Sequence, residues 1–144
     1  MYLPNELWSK IWLYTAIVDT KRKELLCEIR KSKIKILLEK IYFQQWGDEY
    51  YDWLYNDIYG WINDDKPTLF QITDKMISFY KREFNVNVNS IEDIEIIEKN
   101  NLGIQRKSKF LWSLYTNKLT EKELFLFKEN ILNNIPRNFI SNIP

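Results

Sequence analysis

Three pairs of neighbouring acids, Asp48-Glu49, Asp64-Asp65 and Glu92-Asp93, are the residues best placed by type and spacing to do chemistry. Adjacent carboxylates can trade a proton or hold a magnesium ion. Each pair, however, falls at a predicted helix start or in a loop, where negative charge complements the helix dipole and stays solvated. The chain has no His and one Cys, Cys27. It thus lacks the side chain most used for proton transfer near neutral pH, which is also the commonest metal ligand. A lone thiol forms no intramolecular disulfide. Gly47, Gly60 and Gly103 stand apart from one another, so no glycine-rich phosphate loop exists. The reading is a non-enzymatic protein with no catalytic residue, no metal site and no cofactor.

Two stretches could recognise rather than react. Between Lys21 and Lys40 lie eight Lys or Arg against Glu24, Glu28 and Glu39, a charge excess that could lie along phosphates. The residues between those charges are aliphatic, as on an amphipathic helix with a solvated outer face, and no base-reading element accompanies them. The net charge of +1 adds no global attraction to nucleic acid, which leaves nucleic-acid binding as the weakest alternative. From Asp48 to Asp65 there are six acids, no Lys or Arg, and a dense set of Tyr and Trp. One helical face cannot bury them all. Tyr50, Trp53 and Trp61 therefore form a second candidate interface, because Trp and Tyr dominate binding hot spots. Core packing is the competing reading of the same residues.

The elements that must position these groups read as helices throughout. Leu3, Leu7, Ile11 and Tyr14 recur at helical spacing behind Pro4, with Trp8 and Trp12 as a second stripe, predicting a helix over about 4–16. Asp19 or Thr20 is placed to cap a second helix. Leu25, Leu26, Ile29, Ile36, Leu37 and Ile41 carry it to about Phe43, with a kink near Lys31–Lys33. Gly47 is a stop. A third helix follows with Tyr51, Leu54, Tyr55, Ile58 and Ile62 on one face, and a fourth is outlined from Leu69 to Glu83. NVNVN at 85–89 alternates with period two but makes only a short bridge. Ser90 with Asp93, and Thr120 with Glu123, are predicted capping boxes, and Phe110 to Tyr115 gives one more short helix. The apolar tail Phe139–Pro144 is expected to dock on something. With 144 residues, of which 45% are hydrophobic, the chain reads as a single all-α domain of six or seven helices.

The first residues carry a more specific signal. LPNELW at 3–8, with Ile11 and Tyr14, resembles the start of the F-box, the short helical module of substrate receptors in cullin–RING ubiquitin ligases. Leu3, Pro4, Glu6, Leu7 and Ile11 match that family in order and spacing. Cys27 falls where many F-boxes carry a Cys, whereas Arg30 stands where the family often has Trp. With Trp after Glu-Leu, the chain looks like short proteins of large nucleocytoplasmic DNA viruses. The excess of Ile, Lys and Asn, typical of A+T-rich genomes, agrees with that. The resemblance implies an F-box-like segment over 1–46 with a helical part over 47–144 packed on it. It also implies docking of a Skp-type adaptor through Leu3, Pro4, Leu7, Trp8, Ile11 and Tyr14. The alternative is a small structural protein whose partners are assembly or capsid subunits. No apolar run approaches the ~18–20 residues of a membrane span, and Pro4 and Glu6 do not suit a signal peptide. The expected location is therefore cytoplasmic, in a host cell or virion if viral.

Overall fold

Pro4 opens the longest element of the protein. Its carbonyl accepts the N–H groups of Leu7 and Trp8 at 2.9 and 3.2 Å, and α1 then runs unbroken over Asn5–Trp46, 42 residues. Gly47 ends it at φ +57°, a conformation that suits glycine, with its N–H donating to the Phe43 carbonyl. The structure is a computed structural model and describes residues 4–68 and 70–135. A 3-10 turn at Gly47–Glu49 leads into α2 (Tyr50–Ile62), followed by α3 (Asp74–Phe84), α4 (Ile91–Leu102), α5 (Ser108–Lys118) and α6 (Glu121–Asn134). The all-α class holds, with no strand among the described residues. Leu3, Leu69 and the tail Phe139–Pro144 lie outside them.

The helix predicted to close near residue 16 does not close. Thr15 and Thr20 satisfy their hydroxyls inside the helix, donating to the carbonyls of Ile11 and Ala16 at 2.9 Å each, so neither caps a new helix. β-Branched residues weaken a helix by only tenths of a kcal/mol each, and no Gly or Pro interrupts the run. The expected split at Lys31–Lys33 is also absent. Lys31 is buried there, its Nζ donating to the Asn117 carbonyl at 3.1 Å.

The core gathers around α2. Leu54, Ile58 and Ile62, spaced four apart, are fully or nearly fully buried and meet Leu38 and Ile41 of α1, Met76 and Tyr80 of α3, and Trp112 and Tyr115 of α5. α2 packs on α1 and α5, and α1 also packs on α6. Both predicted capping boxes form, Ser90 with Asp93 and Thr120 with Glu123. α3 starts later than predicted, at Asp74, because Thr73 caps it by accepting the Met76 N–H, so Ile72 precedes the helix. The loop before α3 is pinned by Asn63, which has no solvent exposure. Its Nδ2 donates to the carbonyls of Lys66 (2.7 Å) and Gln71 (2.9 Å), while its Oδ1 accepts from the Thr73 N–H and hydroxyl (2.8 and 3.0 Å). In NVNVN no bridge forms. Asn85 turns left-handed at φ +54° to end α3, and Val88 is buried.

Candidate docking surface on the first helix

α1 has two faces in its C-terminal half and, among the described residues, nothing that buries its N-terminal half. The buried positions of α1 are Lys31, Leu38, Ile41 and Tyr42, and no residue of α1 before Lys31 is buried. Of the aliphatic stripe read from the sequence, Leu25, Leu26, Ile29 and Ile36 are exposed, whereas Leu37 is half-buried and Ile41 lies in the core. Burial follows where neighbouring elements lie, and α2 and α6 approach α1 from the opposite side.

The residues of the opening motif share this fate. Pro4, Leu7, Trp8, Ile11 and Tyr14 are all exposed, Tyr14 at 72%. Trp12 (70%) and Leu13 (64%) join them, as do Ile17 and Val18, so the helix is apolar on every side over these turns. A helix apolar all round is normally buried, and a contiguous exposed apolar patch of this extent marks an interaction surface. The outer face has longer order still. Leu7, Ile11, Tyr14, Val18, Leu25, Ile29, Ile36 and Phe43 are all exposed and keep phase along one side of the helix, interrupted at Arg22, Ser32 and Lys40. From Leu7 to Phe43 is ten turns at 3.6 residues each, about 54 Å.

The three aromatics of the second candidate interface do not form one surface. Trp61 packs edge-on against Phe127 (5.7 Å between centroids) with Lys75 Nζ 3.9 Å above its ring. Tyr50 meets Phe43 edge-on at 5.6 Å. Trp53 stacks on Trp46 at 4.1 Å and 17°, and that pair remains partly open to solvent. Of the basic stretch, Arg30 pairs with Glu121 at 3.2 Å and Lys31 is buried, so part of its charge is committed within the fold.

The acid pairs stay apart. Asp48 and Glu49 occupy the 3-10 turn, Asp64 and Asp65 adopt left-handed turn conformations, and Asp93 is bound in its capping box. Among the described residues no group of three or more His, Cys, Asp or Glu could hold a metal ion, and no helix is long and apolar enough to cross a membrane. Desolvation and the neighbouring Glu121 carboxylate push the Cys27 thiol up, the reverse of what an activated nucleophile needs.

One polar cluster escaped the sequence reading. Glu98 is nearly fully buried; its Oε1 accepts from the hydroxyls of Tyr55 (3.1 Å) and Tyr115 (2.6 Å), and its Oε2 from Arg106 at 3.1 Å. Tyr115 also meets the Tyr80 hydroxyl. Burial first, then the neighbouring carboxylate and phenols, drive the Tyr115 hydroxyl far above its ordinary pKa. With every partner internal, the cluster ties α2, α3, α4 and α5 together. Only the spacing of Ile91, Ile94 and Ile97 three apart, with Glu98 four residues past Ile94 and so on the same side, hints at it in the sequence.

No family model matches the chain, no curated protein matches it in sequence, and no solved structure matches it in fold.

Proposed function

We propose that the chain is a non-enzymatic protein-interaction module that docks through the N-terminal half of α1. One observation carries the reading: Pro4, Leu7, Trp8, Ile11 and Tyr14 are exposed together on a stretch of helix that no other described residue covers. Helix-face anchoring of this kind is a common recognition mode, read as apolar anchors at i, i+3, i+4 and i+7. The F-box resemblance of LPNELW names the partner class, a Skp-type ubiquitin-ligase adaptor. Docking would then use the side of a continuous helix, because α1 does not end after the motif. The test is capture of purified adaptor by the full chain and by Leu7→Asp. Binding by wild type and its loss in the variant is expected; no binding by wild type removes the adaptor.

A second reading, a building block of a larger assembly, is favoured by the outer stripe, which runs past the motif as far as Phe43. A viral origin would make that assembly a virion. Absence of the protein from purified particles would count against it.

A further inference from the structure

We propose that the outer stripe of α1 is the interface with a second copy of this chain, the two helices lying antiparallel about Leu25. The proposal rests on reading α1 as a docking element and names what covers it. A motif of the size of LPNELW needs about two turns of helix, whereas this stripe continues over the half of α1 whose other side already packs on α2 and α6. An antiparallel copy accounts for that length. Each exposed N-terminal half would lie along the other's C-terminal half, on the side facing away from the body, so that the two bodies stay on the outside.

With Leu25 against Leu25, Leu7 falls opposite Phe43 and Tyr14 opposite Ile36, all exposed apolar residues, while Val18 faces Ser32, Ile29 faces Lys21 and Ile11 faces Glu39. The charges beside the stripe complement one another in the same register. In an antiparallel pair, residues on one flank of a stripe meet residues on that same flank of the copy. Lys21 and Glu28 share a flank by their helical angle. The register sets Lys21 against Glu28 and, on the other flank, Asp19 near Lys33, each twice by symmetry, while Glu39 is committed within the fold, accepting from Trp112 Nε1 at 2.8 Å. A parallel pair in register would match only Glu28 with Lys33. The area is adequate: half-exposed aliphatic and aromatic side chains lose roughly 90 Å² each when covered, so the stripe gives about 700 Å² per copy. Two such faces fall within the ~1,200–2,000 Å² of standard specific interfaces.

Light scattering after gel filtration, with sedimentation velocity across a dilution series, tests this on the full chain. Wild type is expected at twice the 17.7 kDa chain mass, dissociating on dilution. Leu25→Glu stacks two carboxylates at the symmetry centre and is expected to be monomeric with unchanged far-UV circular dichroism, since Leu25 makes no core contact. Lys21→Glu and Glu28→Lys should each weaken association about tenfold, and the double swap should restore it. A chain that is monomeric at every concentration overturns the proposal, as does a dimer indifferent to Leu25→Glu or to the single swaps. A monomer that still captures the adaptor overturns self-pairing while sparing the docking reading. A dimer that meets the charge-swap test but ignores the adaptor supports self-pairing and removes the adaptor.

Discussion

Replacing Asn63 by Asp changes one buried atom from donor to acceptor, and the structure says what that should cost. The Asn63 amide donates to the Lys66 and Gln71 carbonyls, while its oxygen accepts twice from Thr73, all without solvent exposure. A carboxylate keeps the two bonds from Thr73 and loses both donors, setting negative charge against two carbonyl oxygens. Each unsatisfied buried group costs about 1–3 kcal/mol, so Asn63→Asp should lose about 2–6 kcal/mol at pH 7. A chain of this length has roughly 7–20 kcal/mol of total stability, so the loss is readable by urea unfolding followed through tryptophan fluorescence. The pH dependence has a definite sign. Burial and the two carbonyls raise the folded-state pKa of the new carboxyl above its unfolded value of about 3.9. The variant therefore comes closest to wild type below that value, where the acid can donate to one carbonyl, and falls away as pH rises. A variant within about 0.5 kcal/mol of wild type at pH 7, or one that gains on wild type as pH rises, would refute the role given to Asn63.

Arg106→Met leaves the Glu98 carboxylate buried without its cation and should lower stability by about 3 kcal/mol; adding Glu98→Gln should recover part of that in the same unfolding assay. Burial, joined at Tyr42 by Asp57 and at Tyr55 by Glu98, raises the hydroxyl pKa values of Tyr42, Tyr55, Tyr80 and Tyr115. Because the folded values lie above the unfolded value of about 10, their contribution is fully present below pH 10 and lost as pH rises above it. Absorbance at the tyrosinate band should show these phenols titrating late and together with unfolding. Leu7→Asp, on the exposed stretch, should shift stability by no more than about 0.5 kcal/mol, whereas Leu38→Ala, fully buried, should cost about 2–5 kcal/mol.

What the sequence made legible was local. Ser90 with Asp93 and Thr120 with Glu123 cap their helices because a capping box needs only three consecutive spacings, and Gly47 and Gly103 stop theirs because positive φ is a property of one residue. What stayed hidden depends on distant partners. Thr20 has the chemistry of a cap, but its hydroxyl is satisfied equally well by the Ala16 carbonyl, so the helix runs on. Leu25, Ile29 and Ile36 carry the spacing of a core stripe, yet the buried side includes Lys31, whose acceptor is an α5 carbonyl far along the chain. Trp53 and Trp61 look alike in sequence; Phe127 and Lys75 take up Trp61, and Trp53 is left with Trp46. Glu98 is one acid among many until Tyr55, Tyr115 and Arg106 converge on it. The apolar residues of α1 proposed to dock were legible as anchors, but their exposure was not, because exposure depends on where the other helices go.

Amide hydrogen exchange over residues 5–26 tests the docking role of α1 most directly. An isolated helical stretch without tertiary contacts is marginal in water, so these amides should exchange quickly in dilute, unliganded protein, while the amides of α2 stay protected. Their exchange should slow severalfold when the protein is concentrated or given the proposed Skp-type adaptor, and Leu25→Glu should abolish the concentration-dependent part. Exchange over residues 5–26 that is fast and the same under every one of these conditions would contradict a docking role for α1.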